Sequence, residues 1–287
     1  MIKKSASIIL LVILFSFKKE KVSQNLLSIA IIPTLEQDRI NPDGHTLKTR
    51  FNPPNGYKRD SLQKDSFGYF LQNYPLKKHG KQVRLYNGNL KNRQDVHAAI
   101  FDINVGKRNL QQCADAAIRL RADYLYQQKK YDSIHFNFTN GFNAKYNKWR
   151  SGQRISVKGN TVSWYSGAEQ SNSRATFDKY LTMVFSYAGT LSLEKEMKKI
   201  DVEDLQIGDV FIQGGNPGHA VVVVDVVKND NGKKLFLLAQ SYMPAQEIHV
   251  LKNFNNTSIS PWYDAEYLQY LYTPEWNFTK KNLRRFY

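Results

Sequence analysis

The sequence predicts an α+β fold, in which helices come first and an antiparallel sheet follows. Residues 107–128 have helical periodicity, because Cys113, Leu120 and Tyr124 recur on one face of a helix. The last third of the chain instead carries short apolar runs separated by turn residues, among them the hairpin signal Asn-Asp-Asn-Gly at 229–232. Helical segments followed by a run of strands are typical of α+β domains.

The same patterns predict the individual elements in chain order. Before the long helix we expect an irregular lead-in, a short helix and two short strands, at residues 31–56, 66–76, 83–86 and 98–103. After it we expect a strand, a loop region with Trp and Gly, and two helices, at residues 133–138, 140–162, 173–187 and 193–199. The sheet strands and a final aromatic-rich tail are expected at residues 209–212, 219–227, 234–240, 248–251 and 261–287.

The N-terminus has the pattern of an export signal. Lys3 and Lys4 precede an uncharged, mostly apolar run at residues 5–17, and charged residues follow at 18–21. Such a run is short for a membrane span but typical of a signal peptide. Because a small-x-small cleavage site is missing, residues 1–24 are interpreted as a signal peptide or an uncleaved N-terminal anchor. An exported, periplasmic or envelope-associated protein is expected, with membrane association through this segment only.

The chain is strongly basic, with a net charge of +16. Residues 1–24 hold five lysines and one glutamate, so the remainder carries +12. This charge favours acidic partners such as anionic envelope polymers, or reflects a generally basic surface. The lysines are scattered and no nucleic-acid motif is present, so nucleic acid is not an expected partner. The histidines show no paired metal-ligand spacing, so neither a metal nor another cofactor is expected.

Cys113 is the only cysteine, and the sequence places it in the first turn of the long helix. Asn109 is the predicted N-cap, with Gln112 three residues on as in a capping box. Free backbone amides and the helix dipole lower the pKa of a thiol at this position and can bind an oxyanion. Gln111 or Gln112 is a candidate side-chain donor to that oxyanion. The alternative is that Cys113 is a small buried apolar residue.

His219 is the candidate base that accompanies this thiol. It follows the flexible loop 214–218 and opens an apolar strand, a position from which a side chain can face a cleft. A hairpin centred between residues 230 and 231 places Val221 opposite Gln240, which puts Gln240 on the His219 face. The Gln240 side-chain carbonyl is then the predicted acceptor that orients the imidazole. A one-residue change of register would present Ser241 instead.

This order of motifs resembles a known class of enzymes. A cysteine on a helix, then Gly-Asp-Val-Phe-Ile at 208–212, then Gly-His-Ala-Val-Val-Val-Val at 218–224 is similar to NlpC-type and CHAP-type cell-wall peptidases. The resemblance covers about residues 105–250 and implies a papain-like fold, with Cys113 as nucleophile, His219 as base and Gln240 as orienting residue. It also implies a cysteine amidase or peptidase acting on a peptide linkage of the cell envelope. The alternative is a catalytically silent module that binds glycan or peptide in the same cleft.

A second resemblance extends over most of the chain. Arg-Phe-Asn-Pro-Pro-Asn-Gly-Tyr at 50–57 and Ala-Gln-Ser-Tyr-Met-Pro-Ala-Gln at 239–246 resemble a bacterial family of exported proteins with no assigned function. The predicted domain organisation combines both likenesses. Residues 1–24 are the signal or anchor, 25–104 an N-terminal extension, and 105–287 a papain-like domain with an insertion at about 140–200.

Overall fold

An antiparallel sheet of eight strands organises the structure, which is a computed structural model describing residues 39–287. The predicted signal or anchor at residues 1–24 lies outside this described part. Within residues 39–287, no helix combines the length and apolar character needed to cross a membrane. Helices and a large antiparallel sheet are both present, which confirms the predicted mixture of α and β structure.

The strands vary widely in length, from two residues to ten. They are β1 (His97–Ile100), β2 (His135–Asn137), β3 (Asn143–Lys145), β4 (Gln153–Lys158), β5 (Thr161–Ser166), β6 (Lys198–Lys199), β7 (Val210–Gln213), β8 (His219–Lys228), β9 (Lys234–Gln240), β10 (His249–Leu251), β11 (Tyr263–Asp264), β12 (Tyr270–Tyr272), β13 (Asn277–Thr279) and β14 (Leu283–Arg285). The main sheet has the order β1-β10-β9-β8-β7-β14-β6, with β11 also paired to β9. The pairs β2-β3, β4-β5 and β12-β13 form small separate sheets.

The helices are mostly short. They are α1 (Leu47–Arg50), α2 (Phe67–Gln72), α3 (Cys113–Gln127), α4 (Tyr146–Arg150), α5 (Arg174–Tyr187) and α6 (Thr190–Glu196), with 3₁₀ turns at Tyr131–Ser133, Val202–Asp204 and Lys280–Asn282. Several sequence-based boundaries differ from these. The predicted strand at 83–86 makes only isolated bridges, and the predicted loop region 140–162 contains β3, α4, β4 and the start of β5. The predicted tail 261–287 contributes β11 to β14.

β8 lies at the centre of the sheet and is buried on both faces. Ala220 and Val222 belong to the core on the side of α3 and α5, whereas Val221 and Val223 belong to a second core beneath the C-terminal strands. A strand covered on both sides carries apolar residues at successive positions, which explains the uninterrupted valine run. Helix α3 packs against this strand and brings its first residue to the strand's start.

The β8–β9 hairpin has the predicted register at Val222 and Val223, but a longer turn and a bulge, neither of them predicted, produce it. The turn is longer than predicted, since Lys228 pairs with Lys234 and the Asn229 N–H donates to the Lys233 carbonyl. A bulge between Val223 and Asp225 then shifts the pairing back by one residue. Val222 therefore faces Ala239, the alignment expected from a two-residue turn.

A buried carboxylate joins the segment before the long helix to the sheet. Asp225 in β8 is fully buried, and its two oxygens accept from Arg59 Nε at 2.9 Å and Gln72 Nε2 at 2.7 Å. The Arg59 guanidinium also donates to the Phe51 carbonyl oxygen at 2.6 Å. The segment predicted as an N-terminal extension thus shares a polar anchor with the sheet, and it supplies the edge strand β1 as well.

Arg59→Ala should destabilise the fold strongly, because it leaves the Asp225 charge buried without its cation. We expect the free energy of unfolding to fall by about 3 kcal/mol or more, measured by chemical denaturation. Arg93→Ala is the matched control, since Arg93 and Asp95 form an exposed pair whose loss costs less than about 1 kcal/mol. Equal losses for the two variants would contradict a structural role of the buried pair.

Candidate cysteine–histidine site

Cys113 is the first residue of α3 and is buried. The N-cap is Gln112, whose backbone N–H donates to the Asp115 carboxylate at 2.9 Å. The predicted N-cap, Asn109, is therefore wrong by three residues. The Asn109 side chain instead accepts from the Ala245 N–H at 2.7 Å, which ties the segment before α3 to the loop after β9 and delays the helix.

His219 is the first residue of β8, and a glycine fixes the way the chain enters this position. A Cβ atom on Gly218 would lie 2.4 Å from Thr190 Oγ1 and 2.6 Å from the Gly215 carbonyl oxygen. Only glycine fits such a close approach. The loop therefore packs directly against the start of α6 and holds the buried His219 ring at the end of the sheet.

Gln240 contacts the His219 ring from the neighbouring strand β9. Its Oε1 lies 2.8 Å from His219 Nε2. Because an amide oxygen only accepts, this contact assigns the ring hydrogen to Nε2 and leaves Nδ1 as the unprotonated nitrogen. Within residues 39–287, Nδ1 makes no hydrogen bond. Ser241 points to the other face, where its hydroxyl bonds to the carbonyl oxygens of Gln111 and Gln246.

A buried ion pair holds the Gln240 amide in this orientation. Gln240 Nε2 donates to Glu275 Oε2 at 2.7 Å, and Glu275 pairs with Lys91, whose side chain is only 7% exposed. The chain of contacts runs from Lys91 through Glu275 and Gln240 to the imidazole. Sequence reasoning missed Lys91 and Glu275, because residues so far apart in the chain share no local pattern.

Three aromatic rings surround the imidazole. The ring centroids of Tyr242, Trp276 and Phe278 lie 4.9, 5.4 and 6.0 Å from that of His219. Trp276 and Phe278 come from the segment that the sequence suggested only as an aromatic tail. This cover removes water from the ring, which favours its uncharged form.

Cys113 and His219 line one cavity of about 290 Å³. Gln112 also lines it, whereas Gln111 lines a different cavity, and Gln240 stands behind the imidazole. The remaining lining comes from both sides of the cleft: Ala114, Asp115, Phe185, Ala188, Gly189, Thr190, Gly215, Asn216, Pro217, Gly218, Tyr242, Met243 and Trp276. Of the two glutamines considered as oxyanion donors, only Gln112 is thus beside the thiol.

Backbone amides face the thiol from two elements. The N–H groups of Cys113 and Ala114 at the start of α3, and that of Ala220 in β8, all favour the charged form of the sulfur. They are donors that can also stabilise an oxyanion formed next to Cys113. The described residues show no hydrogen bond between the thiol and the His219 ring.

Burial opposes ionisation throughout this site. It raises the pKa of the Cys113 thiol to about 11, with the nearby Asp115 carboxylate adding to the effect. Burial also lowers the pKa of His219 to about 4, although the Gln240 hydrogen bond opposes this, and raises the pKa of Asp115 to about 8. The expected lowering of the thiol pKa is therefore wrong, because desolvation outweighs the helix end. The thiol and the imidazole are therefore uncharged at neutral pH.

The site lies within the part of the chain that matches a family model. The model of the family described as "Domain of unknown function (4846)" matches residues 47–285. The chain belongs to this family. The match runs from α1 to β14 and so includes every residue of the cavity. No curated protein and no solved structure matches the chain.

Across residues 39–287, no three or more His, Cys, Asp or Glu side chains are grouped so that they could hold a metal ion. His249 is fully buried, with Nδ1 facing the Glu247 carbonyl at 2.9 Å and Nε2 beside the Gln240 amide at 3.5 Å. It is thus part of the polar packing behind Gln240.

Alkylation of Cys113 should follow the titration of a thiol with a raised pKa. The rate with iodoacetamide should rise about tenfold per pH unit from pH 7 to pH 10, because only the thiolate reacts. Mass spectrometry of the labelled protein gives the rate, and free glutathione is the reference thiol. His219→Phe should leave the rate at pH 7 nearly unchanged, since the ring is uncharged. A plateau between pH 5 and pH 8, lost in His219→Phe, would instead indicate a preformed thiolate–imidazolium pair.

Proposed function

We propose that this protein is an exported cysteine amidase or peptidase with a papain-like site, acting on a peptide linkage of the cell envelope. Cys113 is the nucleophile, His219 the base and Gln240 the residue that orients the base. The observation that carries the proposal is the hydrogen bond that His219 Nε2 donates to Gln240 Oε1. It leaves Nδ1 as the only ring nitrogen able to take a proton within the cavity that Cys113 also lines.

The reaction begins from uncharged partners. His219 Nδ1 takes the thiol proton as Cys113 Sγ forms a bond to the carbonyl carbon of the substrate, and the carbonyl oxygen becomes an oxyanion. The imidazolium then returns the proton to the leaving amine as the carbon–nitrogen bond breaks, which leaves a thioester. A water molecule, deprotonated by the same nitrogen, adds to the thioester carbon and expels the thiolate, which regains the proton.

Donors for the oxyanion come from the backbone at the start of α3. The Cys113 N–H is one of the groups left without a carbonyl partner at a helix start, and it lies beside the sulfur. Gln112 is the second candidate donor, because it lines the same cavity and its side-chain Nε2 makes only a long contact, 3.4 Å, with Asn109 Oδ1. A negative charge that develops here, in a cavity enclosed by protein, interacts with these donors more strongly than it would in water.

The substrate class rests on charge and on the N-terminal pattern. The mature chain is strongly basic, and anionic envelope polymers attract such a surface. A cavity of about 290 Å³ accepts a peptide group with one or two small side chains but not a folded protein. Short, exposed peptides of the envelope are substrates of this size.

A catalytically silent binding module is the second candidate, and the site's electrostatics favour it. A cleft used only for binding would also contain a neutral thiol and a neutral imidazole that share no hydrogen bond. Its aromatic wall of Tyr242 and Trp276 suits a peptide or a glycan ring.

Incubation of the protein with insoluble peptidoglycan separates the two candidates. We expect new amine and carboxyl ends to be released, as measured by fluorescent labelling of the soluble fraction. Cys113→Ala should abolish release and leave salt-sensitive binding to the pellet intact. Binding without release in the unaltered protein would select the silent module. Neither binding nor release from peptidoglycan, peptides or glycans would overturn both.

Gln240→Leu tests the orienting role. The imidazole loses its acceptor at Nε2, so its tautomer and position are no longer fixed, and we expect kcat to fall by about 10–100-fold with little change in KM. Gln213→Leu is the matched control, because Gln213 is exposed and pairs with His219 from β7. An unchanged kcat in Gln240→Leu would remove Gln240 from the mechanism.

A further inference from the structure

We propose that a basic cavity beside strand β1 binds a dianionic phosphate group, carried by a sugar or free in solution. The cavity has a volume of about 410 Å³ and is lined in part by β1, the edge strand of the main sheet. It shares no lining residue with the cavity of Cys113 and His219. The inference therefore goes beyond the proposed function and does not depend on it.

The four charged side chains that line this cavity are all cations. They are Arg50, Lys78, Lys81 and Lys252, and no aspartate or glutamate lies among the lining residues. A cleft lined by charges of one sign focuses the electric field and raises the local concentration of counterions. The cavity therefore favours an anionic ligand.

The three lysines of the cavity have no carboxylate partner within residues 39–287. The lysines that form ion pairs in this part of the chain are others, namely Lys58, Lys77, Lys91, Lys228 and Lys233. Asp95 is near enough to Lys252 to be influenced by its charge, but Asp95 pairs with Arg93 at 2.7 Å. The ammonium groups of Lys78, Lys81 and Lys252 are thus available to a ligand.

Arg50 adds a buried positive charge to the lining. It is only 1% exposed, and its guanidinium donates to two uncharged groups, the carbonyl oxygens of Gly44 at 2.9 Å and Lys77 at 3.2 Å. Burial lowers the pKa of Arg50, and the nearby Asp43 carboxylate only partly opposes this effect. An anion in the cavity is attracted by this charge through the surrounding protein, without contact with the guanidinium.

A turn held against β1 positions two of the lysines. The Lys81 N–H donates to the Lys78 carbonyl oxygen at 3.3 Å, and Gly80 between them has a φ of +76°, which favours glycine. His97 Nε2 in β1 donates to the Lys81 carbonyl oxygen at 2.9 Å and so ties the turn to the strand. Because the backbone of both lysines is fixed before a ligand arrives, binding orders only their side chains.

Phosphate is the anion that suits this lining. Its two negative charges offset more of the positive charge than a single carboxylate does, and its oxygens accept from ammonium groups in several directions. A cavity of about 410 Å³ is in the range that holds small organic ligands, so a sugar ring fits beside the phosphate. A phosphorylated sugar and free phosphate are therefore the two sources to compare.

Calorimetry of the full chain with three small probes tests the proposal. The probes are inorganic phosphate, glucose 6-phosphate and glucuronate, titrated at pH 8 and at one ionic strength, so that both phosphates carry about two charges and screening is constant. We expect both phosphates to bind at least about tenfold more tightly than glucuronate. Tighter binding of glucose 6-phosphate than of inorganic phosphate would identify the ligand as a sugar phosphate, and equal affinities would identify it as phosphate alone.

Removal of the three lysines should weaken binding of glucose 6-phosphate by about 100-fold, because three charge-assisted contacts are lost. The variant combines Lys78→Ala, Lys81→Ala and Lys252→Ala. Its control makes the same change of charge in and beside β6, at the opposite edge of the sheet, and combines Lys198→Ala, Lys199→Ala and Lys281→Ala. Equal weakening in the two variants would show a general effect of net charge and would overturn the proposal.

Gln82→Glu tests the same site with little change in size. Gln82 lines the cavity and is exposed, so the added carboxylate should leave the melting temperature unchanged while it lowers the affinity for glucose 6-phosphate by about tenfold. Gln269→Glu, at an exposed position before β12, is the matched control. An unchanged affinity in Gln82→Glu would contradict the proposal. So would equal affinities for glucuronate and the phosphates, or no binding of either phosphate at about 10 mM.

Discussion

The hydrogen bond between Gln240 and His219 is the interaction on which the site's geometry depends. It joins two adjacent strands, assigns the ring hydrogen, and directs the free nitrogen of the imidazole. It forms only because a longer turn and a bulge in β8 together restore the pairing of Val222 with Ala239. The Glu275 carboxylate then fixes the amide from behind. The orientation of the imidazole therefore depends on the backbone register between β8 and β9.

Electrostatic control in this cleft comes from the removal of water. The start of α3 presents amides to the thiol, and such a helix end favours a thiolate. Burial acts in the opposite direction and prevails, for the thiol and for the imidazole alike. A thiol and an imidazole that stay uncharged place no charge in the buried cleft.

The features predictable from sequence were those set by local pattern. The valine run, the turn residues and the alternation of faces place His219 and Gln240 on neighbouring strands, and helical periodicity places Cys113 near a helix start. Contacts between distant segments left no such pattern, so Lys91 and Glu275 were missed. The cap residue was wrong because Asn109 bonds to Ala245, far along the chain. The predicted direction of the thiol pKa shift was wrong, because the shift depends on how deeply the sulfur is buried.

The order in which the site's parts occur along the chain has a consequence for timing. Cys113 and His219 are both synthesised before Glu275 and Trp276, which orient and cover the imidazole. A partly synthesised chain that stops short of this last segment holds the thiol and the histidine but not the group behind Gln240 or the aromatic cover. The site as described is therefore complete only after the C-terminal strands have folded onto the sheet, when the chain extends through β13.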